Sequence, residues 1–371
     1  MKVLYFLKKN IILTIAWVLA IVSMFFVMPS KEYLGYIDFR TLGILWSLML
    51  ITQGLMQQGV FRIFGHKLVQ ITSGERQLGF CLVMLCFFLS MIITNDVCLI
   101  TFVPFTIYIF YEKEDKRNLI YILVLETVAA NLGSMLTPIG NPQNLYLYNL
   151  SGMDAGSFIR LMFPYAAASF VIIGILTIFI KKEKVKNEGI TVSPKSHLKV
   201  KSWPKTCAYL LLLAVAGLVV LRIIDYYILV ILTLITFLIL NRKAILKIDY
   251  GLLFTFIGFF IFVGNMGNIH MVEGLINSLV DGHEMAAGIL ASQVISNVPA
   301  ALLLSGFTTR IDTLLIAVNI GGLGTLIASM ASLITFKIYS NESYANKGRY
   351  FATFTLINVF ILAILALFSQ Q

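Results

Sequence analysis

In the stretch SMIITNDVCLITFVPF (90–105), Asp96 follows Asn95, and it is the only charged residue between Arg76 and Glu112. A charge at the centre of a bilayer costs at least about 2.5–3.5 kcal/mol. A carboxylate survives there by binding a cation, carrying a proton or facing water. Three more apolar stretches are interrupted in the same way: AANLGSMLTPIGNPQN (129–144), ISNVPA (295–300) and AVNIGGLGTLIAS (317–329). Asparagine side chains both donate and accept hydrogen bonds. Glycines let backbones approach closely and adopt unusual φ. Breaks in helices expose backbone N–H groups, which attract anions, and carbonyls, which coordinate cations.

These stretches supply the candidate binding residues. They are Thr94, Asn95 and Asp96; Asn131, Gly133, Ser134, Thr137, Gly140, Asn141 and Asn144; Ser296 and Asn297; and Asn319, Gly321, Gly322 and Thr325. The bland role for a lone glycine here is close packing of helices. It explains the paired Asn-x-Gly clusters less well. Asp96 and Glu126 are the only acids inside apolar spans, so both are candidate proton carriers. Glu126 has the competing role of a buried residue that pairs helices. No Lys, Arg or His lies deep in a span. An anionic substrate must then be held by helix ends, amides and bound cations, whereas a neutral oxyacid needs no compensating charge.

The elements that must position these residues are membrane helices. The chain has 371 residues, 59% of them hydrophobic and 12% charged, with a mean hydropathy of +0.89. Soluble domains carry about 25% charged residues. Apolar segments lie near 10–28, 41–60, 78–111, 118–150, 158–180, 206–222, 226–240, 250–266, 285–309, 313–338 and 351–369. A helix crosses a bilayer in roughly 20 residues, and these runs lack the short alternation of a β-barrel. The fold class is therefore an all-α polytopic membrane protein. Cys81, Cys86, Cys98 and Cys207 are scattered, with no metal-ligand spacing; no cofactor is expected, and a Na⁺ site is the only metal role foreseen. No hydrolase or metalloprotease motif occurs, which argues against an enzyme.

Segment 78–111 has an awkward length. As one helix it would run about 50 Å, against a hydrocarbon core of about 30 Å. A re-entrant hairpin with Thr94-Asn95-Asp96 at its tip fits better. Segment 285–309 has the same design around Ser296-Asn297-Val298-Pro299, although by length alone it fits a single crossing. Topology supports both hairpins. With the N-terminus inside, 23 of the 28 Lys and Arg residues fall on the cytoplasmic side, including eight in the Pro-containing linker 181–205. This is the positive-inside pattern, so the net charge of +10 points to topology rather than to nucleic acid.

The halves repeat. Asn131, Gly133 and Thr137 match Asn319, Gly321 and Thr325 at an offset of 188; Asn95 matches Asn297 at 202; Asp38 matches Asp249 at 211. Segment 206–222 has no partner, and one unpaired crossing turns the second half upside down. The expected architecture is two inverted-topology repeats, 1–180 and 206–371, joined by the cytoplasmic linker 181–205. It has nine full crossings plus two hairpins (about 78–111 and 285–309), each repeat holding one broken helix. Inverted repeats with broken helices at mid-membrane belong to secondary transporters.

The motifs ITNDVCLITFVP, ANLGSMLTPIGNPQN and SNVPA resemble those of the ion transporter superfamily of citrate/arsenite permease type, over nearly the whole chain. That group includes arsenite/antimonite permeases, divalent-anion–sodium symporters, citrate–metal transporters and Na⁺/H⁺ antiporters. In the divalent-anion symporters each tip carries Ser-Asn-Thr, whose side chains help bind a carboxylate substrate and Na⁺. By position, the resemblance implicates Thr94, Asn95 and Asp96, then Ser296, Asn297 and Val298. Neither third position is Thr, and the Asn-Asp pair is closer to arsenite permeases. TPIGNPQN (137–144) looks like the symporters' TPIGTPPN, which implies ion coordination near Gly133 and Thr137. The resemblance further implies a homodimer, and a substrate domain that moves against a scaffold made of the early helices of each half.

The expected function is secondary active transport of a small anion or neutral oxyacid (arsenite-like, or citrate/dicarboxylate-like) across a bacterial cytoplasmic membrane, coupled to H⁺ or Na⁺ by alternating access. The alternatives are a Na⁺/H⁺ antiporter and, more remotely, an ion channel. The partners are the lipid bilayer and the substrate, with no nucleic acid. The inverted topology has a direct test. In a background without native cysteines, Val185→Cys and Leu275→Cys are expected to react with an impermeant maleimide from opposite faces of the membrane. Labelling of both from one face would break the inverted arrangement.

Overall fold

The computed structural model describes residues 11–369, apart from 62, 64–66, 68–71, 73, 111–115, 183–199, 270–273 and 275–279. The basic N-terminus, most of the 181–205 linker and most of the loop around position 275 lie outside the described residues. Among the described residues the fold is all-helical. Six helices are long and apolar enough to cross a membrane, and shorter apolar helices accompany them.

The first half contains α1 (Ile11–Met24), α2 (Phe39–Gln58), α3 (Glu75–Ile93), α4 (Asn95–Ile109), α5 (Arg117–Ser134), α6 (Pro142–Ser151) and α7 (Ala155–Thr177). An unpaired α8 (Trp203–Val220) follows. The second half contains α9 (Tyr226–Leu240), α10 (Tyr250–Gly267), α11 (Glu284–Ile295), α12 (Asn297–Leu304), α13 (Ile311–Ile320), α14 (Met330–Ser340) and α15 (Lys347–Phe368). The element order repeats as the sequence predicts. The 285–309 segment, which by length alone fits one crossing, is two helices packed on each other.

The helices form two groups. In one, α1 packs on α10, and α2 packs on α8 and α9. Small residues set these contacts. The Ala16 backbone lies against Gly258, and Gly54 sits under the rings of Tyr209 and Phe237, which stack with centroids 4.9 Å apart. In the other group, α5 packs on α3, α7 and α15, α4 on α14, and α6 on α12 and α13. This second group holds both hairpins and both broken helices, so it carries every candidate binding residue.

The breaks follow from local chemistry. After Ser134, Pro138 and Pro142 remove backbone donors, and the chain runs seven residues before α6 starts with Pro at its first position. The Asn141 side chain caps that start by accepting from Asn144 N at 2.9 Å. After Ile320, three glycines loosen the second break, and the Ser329 side chain caps α14 by accepting from Ala331 N at 3.2 Å. Polar Ser, Thr and Asn at such starts satisfy N–H groups that helices leave unpaired.

Candidate functional site

Each hairpin turns at one residue. Thr94 (φ 69°, ψ 147°) joins α3 to α4, and Ser296 (φ 76°, ψ 152°) joins α11 to α12. The tips are narrower than the sequence predicts, because Asn95, Asp96 and Asn297 already belong to the returning helices. Non-glycine residues with positive φ are held at a cost of order 1–3 kcal/mol, and only where surroundings fix them. The adjacent breaks do so here. Asn95 N donates to Gly140 O at 3.1 Å, and Asn297 N donates to Ala328 O at 2.9 Å. Gly140 and Ala328 are themselves 188 residues apart, as are the matched asparagines of the breaks.

Further contacts occur in the same matched pairs. Thr137 Oγ1 donates to Met91 O at 2.5 Å, and Thr325 Oγ1 to Gln293 O at 3.0 Å. A side chain at Gly133 would strike Phe87 O and Ser90; one at Gly321 would strike Ser292 and Ile289. Both glycines are therefore required by close approach to the entering hairpin limb. At Gly140 a side chain would strike the backbone of Ser134, and at Gly322 it would strike the Asn297 amide.

The two breaks also bond to one another. Asn141 Nδ2 donates to Asn319 Oδ1 at 3.2 Å, and in return Ser329 Oγ donates to Asn131 Oδ1 at 2.9 Å. Positions 141 and 329 are equivalent, as are 131 and 319. Asn95 Nδ2 adds a bond to Asn131 Oδ1 at 3.1 Å, and Asn319 Nδ2 donates to Asn144 Oδ1 at 2.6 Å. Ser134 Oγ closes the chain by accepting from Asn141 Nδ2 and donating to Asn131 O. One continuous network thus joins Asn95, Asn131, Ser134, Asn141, Asn144 and Asn319. The starts of α4, α6, α12 and α14 meet around it. Helix N-termini carry partial positive charge and free N–H groups, so their convergence suits an anion or an electron-rich oxygen.

Two buried polar atoms make no hydrogen bond among the described residues: Asn131 Nδ2, a donor within the network, and Asp96 Oδ1, an acceptor on the residue that follows Asn95. Buried polar groups in folded proteins are nearly always paired. The Asp96 carboxylate also lies within electrostatic reach of Asp249 at the start of α10. Glu126 is not part of the network. It is fully buried and accepts from Thr106 Oγ1 at 2.5 Å, and its Oε2 has no partner among the described residues. Thr325 lies at the outer end of its break and is exposed, unlike Asn319.

Sequence reasoning missed Gln293 and Ser329. Gln293 Nε2 donates to Gly321 O and to Leu323 O, both at 2.8 Å, while its Oε1 accepts from Thr325 N at 2.9 Å. It is the latch of the second break. The available signal was its place one turn before Asn297, but its equivalent is Met91, so the repeat comparison pointed away from it. Ser329 is the equivalent of Asn141, and that pairing could have found it.

A family model described as "Citrate transporter" matches residues 3–313. The chain is 31% identical over 332 residues to the "Inner membrane protein YbiR" of Escherichia coli, covering 86% of this chain and 85% of that protein. It is 31% identical over 347 residues to the "Uncharacterized transporter MJ0456" of Methanocaldococcus jannaschii, covering 93% of each. A shorter similarity, 33% over 143 residues, is to the "Silicon efflux transporter LSI3" of rice, covering 38% of this chain and 28% of that protein.

Gln293→Ala is expected to lower stability by about 1–3 kcal/mol, since it leaves two carbonyls and an N–H group unsatisfied. Thermal unfolding of the purified protein in detergent measures this. A midpoint equal to that of the parent would remove Gln293 from its role as latch.

Proposed function

The chain belongs to the citrate transporter family, and from that premise we propose that it is a secondary active transporter for a small anion or a neutral oxyacid, driven by H⁺ or Na⁺. It is read as working by alternating access from the cytoplasmic membrane, with the two halves inserted as inverted repeats. The observation that carries the substrate class is the meeting of four helix N-termini around the asparagine network. It provides donors where no cationic side chain is buried among the described residues, and the open Asn131 Nδ2 donor lies at its heart.

In this reading the substrate's oxygens accept from Asn131 Nδ2 and from N–H groups at the helix starts. The Asp96 carboxylate stands close by with an unsatisfied oxygen. A negative substrate beside a carboxylate is repelled, so a proton on Asp96 or a Na⁺ against it must accompany the substrate. That requirement is the physical basis of coupling. It also supports a second reading, an antiporter in which Asp96 binds the cation directly.

Proteoliposomes offered arsenite, citrate and succinate under separate H⁺ and Na⁺ gradients discriminate between these. Wild-type protein is expected to accumulate one of the three under one gradient. Asn95→Ala and Asn297→Ala are expected to lower its uptake at least about tenfold, in line with the loss of a buried hydrogen-bonded group, at near-normal expression. Asp96→Asn is expected to abolish the response to the gradient. Full uptake in both alanine variants would displace the site from the hairpin tips. Cation exchange without uptake of any of the three would favour the antiporter.

A further inference from the structure

A cavity of about 310 Å³ separates the two helix groups, lined by the start of α1, by Asp249 and Thr255 near the start of α10, by Val298 and Pro299 of α12, and by Met330 and Lys337 of α14. Val298 directly follows the tip residue Asn297, and Met330 directly follows the cap Ser329. The cavity therefore reaches the residues next to the second hairpin tip and next to the cap of α14. Asp249 and Lys337 are both exposed in it. Asp249 makes no side-chain cap bond, and neither group has an ion-pair partner among the described residues.

The equivalent place in the first half is closed. Asp38 and Asp249 are equivalent and share backbone geometry, with φ −77° and ψ 86° against φ −79° and ψ 85°. Asp38 accepts from Thr41 N at 3.0 Å and also from Thr41 Oγ1. Thr41 Oγ1 in turn accepts from Asn149 Nδ2 at 2.8 Å. Thr41 lies on α2 and Asn149 on α6, so this Asp–Thr–Asn chain ties the two helix groups together. At the offsets of 211 and 188, Thr41 corresponds to Leu252 and Asn149 to Lys337. Leucine offers no hydroxyl to bridge the gap, but lysine is longer than asparagine and brings a charge that suits an aspartate. The substitution of the pair is thus chemically compensated.

We propose that Asp249 and Lys337 are the gate of this cavity, an ion pair that forms when the cavity closes and that replaces the Asp38–Thr41–Asn149 contact, which opens in the same step. The proposal rests on the alternating-access reading, and it adds the residues that alternate. On this proposal the structure is the state with the Lys337 side open and the Asn149 side shut. Closing brings a carboxylate on one helix group against an ammonium on the other, and both are unpaired until then.

The test needs no substrate. A reporter, Leu333→Cys, lines the cavity and is placed in a background without native cysteines. Its reaction rate with a maleimide is measured on detergent-solubilised protein, where sidedness plays no part. Breaking the closed contact with Thr41→Val and Asn149→Ala is expected to slow labelling about fivefold, the shift that one net hydrogen bond produces. Adding Lys337→Asp to that variant is expected to restore the fast rate, and adding Asp249→Lys as well, which re-forms the pair in reverse, to slow it again. A rate that ignores the Thr41 and Asn149 changes, or a charge swap that fails to slow labelling again, overturns the gate. Gating that follows the prediction in a protein that moves none of the offered solutes would leave the gate standing and overturn the substrate assignment alone.

Discussion

Everything at the centre of this molecule depends on one constraint: a backbone that leaves its helix inside an apolar body must find hydrogen bonds elsewhere. An unpaired buried backbone group costs several kcal/mol where water cannot reach it. The hairpin tips and the helix breaks each expose such groups, and each supplies what the other lacks. Asn95 N takes Gly140 O, and Asn297 N takes Ala328 O. A tip without its break would leave a donor stranded, and a break without its tip would strand a carbonyl. The two irregular elements of each half are therefore obligate neighbours, and the site between them is a by-product of satisfying their own backbone.

The transport reading, in which one helix group moves against the other, is consistent with how the bonds are distributed. The side-chain bonds that cross between halves, Asn141 to Asn319 and Ser329 to Asn131, join one break to the other. They lie wholly within the helix group that carries the hairpins. That group is held together by polar bonds whose loss is costly. Its contacts with α2 and α10 are largely apolar, apart from bonds such as Thr41 to Asn149. Apolar surfaces slide with little directional penalty, whereas hydrogen bonds fix geometry. In the transport reading the asparagine network would stay intact while the helix groups shift.

Much of this was legible in the sequence because it follows from spacing and polarity. The long 78–111 run, the Asn-x-Gly pairs and the unpaired 206–222 segment gave the hairpins, the breaks and the repeated element order. The turn residues were not legible. Thr94 and Ser296 adopt positive φ without being glycine, and only the tertiary bonds at their neighbours permit it. Lys337 was not legible either, because a lysine near the end of an apolar run reads as a topology signal. Its significance comes from lining the cavity with Asp249, which lies 88 positions away in the chain.

The repeat conserves tasks more faithfully than it conserves residues. In the first break, Asn144 Nδ2 donates to the carbonyls of Ser134, Met135 and Thr137, anchoring the break to its own second helix. The equivalent of Asn144 is Ser332, whose hydroxyl is buried and too short to reach. In the second break the carbonyl of Leu323, equivalent to Met135, is held instead by Gln293 from the entering hairpin limb. One break is thus fastened to the helix that follows it and the other to the hairpin beside it. The acidic groups divide unevenly too: Asp96 and Glu126 face Val298 and Leu314 at the equivalent positions. The first half holds these two acids, and its break is fastened to its own second helix as well as to its hairpin. The second half has neither acid, and its break is held by Gln293 of its hairpin. A symmetric scaffold that presents an asymmetric centre can bind a coupling ion on one side of the substrate and release it through a motion of the other. In the transport reading that asymmetry serves coupling, which a passive pore does not need.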